Sequence, residues 1–308
     1  MNIVEARGVS KRYGARLAVD GLDLDVPAGT CFGLLGPNGA GKTTALRMIY
    51  GVARPSSGSV RVFGLDVAFH PRAVRSRLGV TLQESVLIEV LSAEENLRVF
   101  GRYHLLPEPD LSQRVAALLD FFELRSHASL PAQQLSGGFR RRLAIAMSLV
   151  NGPELLILDE PTTGLDPAVR LALWSRVREL RAAGTSVLLT THYMDEAERL
   201  CDRVAILSQG RSLCEGAPRA LIEARLAREA VELDLLPREE EQLFRGFDGA
   251  PLRLRAGRRL ILYADDGLAL VRFIHARDGG DRRPVVVRPA NLEDVFLSVT
   301  GTALEAGA

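Results

Sequence analysis

The stretch from Gly36 to Thr43 reads GPNGAGKT, with glycines at its start and centre and a Lys-Thr pair at its end. It lies between the apolar run TCFGLL, typical of a buried strand, and the segment TTALRMIYG, which has helical spacing. Glycines allow backbone N–H groups to close around an anion, while Lys42 supplies a cation and Thr43 a hydroxyl ligand for Mg²⁺. The stretch therefore predicts a phosphate-binding loop, and a plain glycine-rich turn is the weaker alternative.

The sequence around this loop indicates an α/β layout. The short apolar runs TCFGLL, LGVTL, ELLILD, TSVLLTT and RVAILS alternate with longer stretches of helical spacing, which favours a buried, mostly parallel sheet with crossover helices. Residues 1 to about 30 alternate apolar and polar side chains and predict antiparallel strands. Residues from about 84 to 151 carry only helical patterns, which predicts an inserted helical subdomain with a capping box formed by Ser92 and Glu95.

The end of the chain has a different pattern. After Pro218 no nucleotide motif recurs, and the predicted order of elements is β-α-β-β-α-β-α, with a hairpin turn at Ala256-Gly257. We therefore predict a cassette domain over residues 1–217 and a small accessory α+β domain over residues 218–308.

Composition excludes several classes of function. The net charge of the 308 residues is +1, which lacks the cationic excess of a dedicated nucleic-acid binder, so no nucleic-acid partner is expected. The three cysteines form no paired motif, which fits a reducing cytoplasm. No apolar run approaches the roughly 20 residues needed to cross a bilayer. Any membrane association is expected to come only through a partner.

Two acidic residues end the apolar run LLILDE. In the presence of a phosphate-binding loop, Asp159 is suited to hold the surroundings of Mg²⁺ and Glu160 to polarise an attacking water as a general base. Without that loop, an acidic turn at a strand end would be an equally good interpretation.

Two further polar residues end predicted strands, namely Gln83 after LGVTL and His192 after TSVLLTT. Open α/β sheets bind ligands at the carboxyl ends of their strands. A single Gln or His at such a position is more often simply solvated. A functional role for these two residues is therefore indicated only in combination with the other motifs.

A second anion site is indicated by LSGGFRRR at positions 135–142. Ser136, Gly137 and Gly138 would place a hydroxyl and open backbone at a helix N-terminus, which suits a phosphate. One chain with two such sites but one lysine-containing loop suggests that the sites face different nucleotides. This arrangement predicts a dimer.

In their order and spacing, GPNGAGKTT, Gln83, LSGGF, LLILDEP, GLDP and His192 resemble the ATP-binding cassette of ABC transporters, over roughly residues 1–217. The resemblance implies a P-loop NTPase fold: a mixed sheet with an antiparallel β subdomain and an inserted helical subdomain. It implies ATP and Mg²⁺ as ligands, ATP hydrolysis as the activity, and a head-to-tail homodimer in which the loop of one protomer and the LSGGF of the other enclose each ATP.

The resemblance also assigns residues. Tyr13 would stack on adenine, Asp166 in GLDP would communicate across the dimer, and His192 would contact the γ-phosphate. The catalytic set would be Glu160, His192 and Gln83, and the Mg²⁺ set Thr43, Gln83 and Asp159. The remaining nucleotide contacts would come from Gly36, Pro37, Asn38, Gly39, Ala40, Gly41, Lys42, Thr43, Thr44, Ser136, Gly137 and Gly138, with Asp159 beside them.

The segments VFGRYH, THYMDEAERLCDR and RPANLEDVFLSVTG look like those of ABC-2 exporter ATPases, especially the nodulation lipo-oligosaccharide and daunorubicin-resistance types. That group implies a separate ABC-2 membrane permease subunit, a peripheral position on the cytoplasmic face of a bacterial cell membrane, and a hydrophobic or amphipathic cargo such as a drug, lipid or lipo-oligosaccharide. Two positions depart from the pattern, Leu82 where Pro is common and Phe139 where Gln or Met is usual. Neither removes a catalytic group, and both bear on the fit to the membrane subunit.

Two alternatives remain open. The first is a soluble ABC ATPase of repair, translation or assembly without transport, although the chain has neither the second cassette nor the coiled-coil or zinc insertions of such proteins. The second is a nucleotide-binding regulatory module, which would be expected to have a damaged catalytic set.

Overall fold

A computed structural model describes residues 1–84, 86–245, 247, 252–278 and 283–301. The chain forms two compact units, Met1–Cys214 and a second unit that begins at Glu215. Residues 302–308 of the predicted accessory domain lie outside the described residues.

The described strands are β1 (Asn2–Tyr13), β2 (Arg16–Pro27), β3 (Cys31–Leu35), β4 (Ser57–Val62), β5 (Leu65–Asp66), β6 (Leu78–Thr81), β7 (Leu155–Asp159), β8 (Ser186–Thr191), β9 (Arg203–Ser208), β10 (Arg211–Gly216), β11 (Glu229–Asp234), β12 (Leu252–Ala256), β13 (Arg259–Ala264) and β14 (Val285–Pro289). The described α-helices are α1 (Lys42–Ile49), α2 (Pro71–Arg75), α3 (Ala93–Tyr103), α4 (Glu108–Phe121), α5 (Gly137–Ser148), α6 (Pro167–Ala182), α7 (Met194–Leu200), α8 (Pro218–Arg225), α9 (Pro237–Leu243), α10 (Gly267–Arg277) and α11 (Leu292–Thr300). None of these helices is both long and apolar enough to span a bilayer.

The first unit contains an antiparallel sheet of order β2-β1-β4-β5. In β2, the buried side chains of Leu22, Leu24 and Val26 alternate with more exposed neighbours, because one face of the sheet packs on the core. The prediction of antiparallel strands within residues 1–30 is confirmed. The sequence analysis did not predict β4 and β5, which complete this sheet.

The second sheet has the order β10-β9-β3-β8-β7-β6, and the neighbours from β9 to β6 pair in parallel. Every residue of β3, β7 and β8 is buried, as expected for strands covered on both faces. The register pairs Leu35 with Thr191, and Asp159 with Thr190. The carboxyl ends of these central strands are therefore level, and the segments that follow them meet at one edge of the sheet.

Helices α3, α4 and α5 lie between β6 and β7, as the sequence predicted. At the start of α3, Ser92 Oγ accepts a hydrogen bond from the backbone N–H of Glu95, and the Glu95 carboxylate accepts one from the N–H of Ser92. The predicted capping box is confirmed, and it satisfies two N–H groups that have no partner within the helix.

One apolar core joins the two sheets of the first unit through α1. Leu24 of the antiparallel sheet, Leu46 and Ile49 of α1, and Ile157 of the parallel sheet are all buried in it. Packing of α1 from both sides fixes the direction in which its N-terminus points. That N-terminus directly follows the glycine-rich loop.

The second unit contains the predicted order β-α-β-β-α-β-α, running from β11 to α11 and preceded by α8. Its antiparallel sheet has the order β12-β13-β11-β14. Gly257 (φ +62°) forms the turn between β12 and β13 that the sequence predicted. The buried carboxylate of Asp294 accepts hydrogen bonds from Tyr263 Oη (2.8 Å) and from the Arg288 guanidinium (2.6 and 2.7 Å), which ties α11 to the sheet.

Candidate nucleotide site

The glycine-rich loop connects β3 to α1 and needs glycine at two positions for steric reasons. Gly36 has φ +149°, and a Cβ there would lie 2.2 Å from the carbonyl oxygen of Leu207. Gly41 has φ +104°, and its Cβ would lie 2.6 Å from the carbonyl oxygen of Ala18. Both distances are shorter than any van der Waals contact, and both φ values disfavour residues other than glycine.

Lys42 is the first residue of α1, and its ammonium group is held inside the loop. Nζ donates hydrogen bonds to the carbonyl oxygens of Gly36 (2.7 Å) and Pro37 (3.2 Å) and lies 3.3 Å from Glu160 Oε1. Burial lowers the pKa of Lys42, and the carboxylates of Glu160 and Asp159 partly oppose that shift. A cation is thus already in place, before any ligand binds, at the N-terminus of helix α1, where anions are favoured.

Asp159 ends β7 beside the first turn of α1. Its Oδ1 accepts hydrogen bonds from Thr43 Oγ1 (3.3 Å) and from the hydroxyl of Thr190 on the neighbouring strand. A carboxylate and a threonine hydroxyl are oxygen donors of the kind that Mg²⁺ prefers. This pair therefore fits a magnesium ion bound together with phosphate oxygens.

Glu160 follows β7 and has φ +47°, a left-handed conformation that is rare for a residue with a side chain. Its N–H donates to the carbonyl oxygen (3.1 Å) and the hydroxyl (3.0 Å) of Thr190, and Thr163 Oγ1 donates to its Oε2 (3.1 Å). Burial acts to raise the pKa of Glu160, but Lys42 and His192 outweigh it and hold the pKa below its ordinary value. The group is therefore ionised near neutral pH, as a general base must be.

His192 follows β8, and its Nδ1 lies 3.2 Å from Glu160 Oε2. That nitrogen is buried, and the Glu160 carboxylate is the polar group that faces it. An imidazole held beside the ionised carboxylate in this way can hydrogen-bond a further polar group through its other ring nitrogen.

A cleft of about 500 Å³ brings the predicted residues together, and its size suits a small-molecule ligand. It is lined by Tyr13, Arg16, Ala18, Asn38, Gly39, Gly41, Lys42, Thr43, Thr44, Arg47, Gln83 and Glu160. A neighbouring cleft of about 650 Å³ shares Tyr13, Thr43 and Gln83 with it and adds Asp159. Gly36, Pro37, Ala40 and His192 are not among the residues that line these clefts, and Gly36 and Ala40 are buried.

Another group of predicted residues lies away from both clefts. Ser136 and Gly137 are exposed at the start of α5, and the Ser136 side chain makes no capping hydrogen bond there. A Cβ on Gly138 would lie 3.1 Å from Val169 of α6, whose N-cap is Asp166. The starts of α5 and α6 are therefore neighbours, and they form a surface separate from the cleft.

Besides Arg16, Ala18 and Arg47, which line the cleft, the sequence analysis missed two residues that hold the site from beneath. Thr190 braces both Asp159 and Glu160, but its place inside the apolar run TSVLLTT resembles an ordinary strand residue. Arg141 donates to backbone carbonyls beneath the site, but in the run of three arginines it resembles a solvated charge. Its helical phase was the available signal, because it lies three and four residues before the buried Ala144 and Ile145.

Comparison with known proteins agrees with this geometry. The sequence profile described as ABC transporter matches residues 19–163. The Nod factor export ATP-binding protein I of Ralstonia nicotianae is 44% identical over 307 residues, covering 97% of this chain and 94% of that protein. Its namesake from Sinorhizobium fredii is 44% identical over 306 residues, covering 98% and 87% respectively.

Solved structures give the same result. A structure described as the ATP-binding subunit of an ABC transporter matches with 32% identity and a TM-score of 0.66, covering 72% of this chain and 92% of that one. A dimeric ATP-binding cassette with bound ADP and Pi matches with 26% identity and a TM-score of 0.64, covering 70% and 98%. The chain therefore belongs to the ATP-binding subunits of ABC transporters, and it is an ATPase.

Proposed function

We propose that this chain hydrolyses ATP to drive the export of an amphipathic, lipo-oligosaccharide-like molecule through a separate membrane subunit. The observation that carries the ATPase chemistry is the convergence of Lys42, Thr43, Gln83 and Glu160 on one cleft. The cargo class is supported by the 44% identity, over nearly the whole chain, to proteins named for Nod factor export. A hydrophobic drug or a lipid is the next candidate.

Within the cleft, the proposed roles follow from position. Tyr13 is 46% exposed at the rim and stacks on the adenine ring, while the loop and Lys42 hold the phosphates. Glu160 accepts a proton from the attacking water, and His192, whose Nδ1 lies 3.2 Å from Glu160 Oε2, is assigned the contact to the terminal phosphate. Gln83 lies at the opening and helps to place the water.

Mg²⁺ fits beside Thr43, Asp159 and Gln83. The hydroxyl of Thr43 and the carboxylate of Asp159 already lie 3.3 Å apart, and Gln83 lines both neighbouring clefts. When bound, the ion would neutralise phosphate charge. These side chains supply oxygen donors, and the hydroxyl of Thr190 orients the carboxylate of Asp159.

The active form is proposed to be a head-to-tail homodimer. Ser136, Gly137 and Gly138 lie outside the cleft of their own chain, yet an exposed hydroxyl and backbone N–H groups at a helix N-terminus suit a phosphate. A second copy would present them to the nucleotide held by the first. Asp166 starts the neighbouring helix and would lie at the same interface.

The membrane subunit is proposed to dock beside Gln83. An apolar groove of about 240 Å³ lies there, and its lining includes Leu82, Val86 and Phe100. Val86 is 66% exposed, and exposed apolar surface next to a functional loop is typical of an interaction site. The occupant we assign is a cytoplasmic helix of an ABC-2 type permease, which would hold this chain at the cytoplasmic face of the cell membrane.

The test is affinity capture of the tagged E160Q protein from its native membranes with ATP and Mg²⁺. A multi-span membrane protein should co-purify, should be lost when Val86→Glu is added, and should be kept with Leu171→Glu, a matched change at a residue that is 55% exposed on α6. Capture of soluble partners alone would favour the non-transport ABC ATPase. Equal loss with both substitutions would contradict the assignment of the groove.

A further inference from the structure

Arg141 is an unusual arginine in helix α5. Its two neighbours in the run FRRR pair with carboxylates at the surface, Arg140 with Glu89 and Arg142 with Glu123. Arg141 instead is only 7% exposed and forms no ion pair within the part of the chain that the structure describes. The positive charge of its guanidinium is instead surrounded by backbone carbonyl oxygens.

The guanidinium donates hydrogen bonds to five backbone carbonyl oxygens. Nη1 donates to Leu82 (2.7 Å) and Gln83 (3.3 Å), Nη2 to Asp159 (2.9 Å) and Glu160 (3.0 Å), and Nε to Pro161 (2.8 Å). The first two carbonyls follow β6, and the other three belong to the end of β7 and the turn after it. One side chain therefore connects helix α5 to both segments that carry the proposed catalytic groups.

This arrangement needs arginine. Burial lowers the pKa of Arg141, and the negative charges of Asp159, Glu196 and Glu160 partly oppose that shift. Because the buried guanidinium has lost its contacts with water, it depends on the carbonyl oxygens for its hydrogen bonds. A planar guanidinium has five N–H donors in a fixed fork, whereas a lysine ammonium is a point charge with three donors. Lysine at this position could not satisfy both segments at once.

The carbonyl bonds fall where the backbone is strained. Glu160 has φ +47°, a conformation that is unfavourable for a residue with a side chain and persists only where its surroundings hold it. Arg141 donates hydrogen bonds to the carbonyl oxygens of Asp159, Glu160 and Pro161, which belong to the peptide groups around Glu160. The side chain of Glu160 points at Lys42 and His192 only while this turn is maintained.

We propose that Arg141 is a positioning residue, which locks the Glu160 turn and the Gln83 segment to the helix that presents Ser136. Because α5 begins at this second anion site, a displacement of α5 would move Glu160 and Gln83 together with it. The inference rests on the proposed function, in which Glu160 is the base and Ser136 faces the nucleotide of a partner copy.

The experiment compares the full-length Arg141→Lys variant with the original protein in steady-state ATP hydrolysis and in equilibrium ATP binding. We expect kcat to fall on the order of 10- to 100-fold, since a small displacement of a base is sufficient for such a loss. The dissociation constant for ATP should be almost unchanged, because the loop, Lys42 and Tyr13 do not contact Arg141. A general loss of structure would weaken binding and turnover together.

Arg114→Lys is the matched control. Arg114 is also partly buried and donates to the carbonyl oxygen of Leu149, away from the cleft. If both variants lose the same thermal stability, only Arg141→Lys should lose kcat. Equal kcat in the two variants, or ATP binding that weakens in step with kcat, would overturn the proposal.

Arg141→Gln provides a second variant if the lysine variant does not fold, since a neutral amide has a smaller cost of burial. It retains two donors and should also show the loss of kcat without loss of binding. Failure of both variants to fold would make Arg141 a folding residue and refute the positioning role. If the original protein had no ATPase activity, the proposed function itself would be refuted. If the original protein and the Arg141→Lys variant were equally active, only the positioning role of Arg141 would be refuted.

Discussion

The ammonium of Lys42 lies 3.3 Å from the carboxylate of Glu160, and the two side chains are only 4% and 7% exposed. Each is a buried charge that depends on the other, since removal of one partner leaves the other without its nearest charge of opposite sign. The pair also joins the phosphate-binding loop to the proposed general base. Binding and chemistry can therefore be separated by changing the two residues one at a time and together.

Glu160→Gln should lower kcat on the order of 10²- to 10⁴-fold, because the amide cannot accept the proton of the attacking water. ATP affinity should stay close to that of the original protein, since the shape of the cleft is preserved. Steady-state hydrolysis and equilibrium binding measure the two effects. Glu154→Gln is the control, because Glu154 is exposed and pairs with Arg77 at the other end of the same strand. Undiminished turnover in the Glu160 variant would remove it from the base role.

Lys42→Met should destabilise the nucleotide-free protein by about 3–5 kcal/mol, because the buried Glu160 carboxylate would lose the cation that faces its Oε1. Adding Glu160→Gln should restore part of that loss, and the double variant should be more stable than Lys42→Met alone. Urea unfolding of the single and double variants gives the coupling free energy. Strictly additive losses would show that the two side chains do not depend on each other.

Glu196 should make stability depend on pH. Burial raises the pKa of this carboxyl group, whose Oε1 accepts hydrogen bonds from Thr162 and Trp174. Because its folded pKa lies above its unfolded value, the folded state binds the extra proton, and stability is lost as the pH rises above about 4.3 towards the folded pKa. Glu196→Gln should therefore gain stability relative to the original protein, by up to about 1.4 kcal/mol per pH unit in that window.

Chemical unfolding at a series of pH values tests this expectation. Glu198→Gln, on the exposed side of the same helix, is the control. A stability difference between the Glu196 variant and the original protein that did not change with pH would show that the Glu196 carboxyl group has the same pKa in the folded and unfolded states.

Gly41→Ala should be far more damaging than Gly39→Ala in the same loop. Both glycines have positive φ, +104° and +82°, so alanine is strained at either position by about 1–3 kcal/mol. At Gly41 the added Cβ would also lie 2.6 Å from the Ala18 carbonyl oxygen, whereas at Gly39 the nearest atom is 3.6 Å away on the flexible Arg16 side chain. Thermal unfolding without nucleotide measures the difference, and equal losses would disprove the close approach.

Much of the fold could be predicted because its signals are local. The fully apolar runs of β3, β7 and β8 indicate strands buried on both faces, and Ser92 with Glu95 marks the start of α3. The order of elements in the second unit was likewise predicted from alternating patterns. The short strands β4 and β5 were not predicted. The run SGSVRV has no strong strand pattern of its own and becomes a strand because it pairs with β1, which is distant in sequence.

Part of the cleft lining was predictable from sequence, but the electrostatics of the site were not. The GPNGAGKT pattern and the acidic end of β7 identify the loop and the carboxylates from sequence alone. The pairing of Lys42 with Glu160 and the five carbonyls around Arg141 depend on distances across the sheet, which no local pattern encodes. Burial of an arginine within a run of three is decided by tertiary packing.

The contact between Gly36 and the carbonyl of Leu207 also limits how the gene can evolve. Any side chain at position 36 would collide with the backbone of β9 at 2.2 Å, so every amino-acid replacement there is deleterious. All glycine codons share their first two bases, which leaves the third base as the only neutral site of that codon. Leu82 is 38% exposed, so the packing of the fold itself leaves room for other side chains at that position. On the proposed docking of a permease beside Gln83, changes at Leu82 would alter the fit to the membrane subunit while the phosphate-binding loop stays fixed.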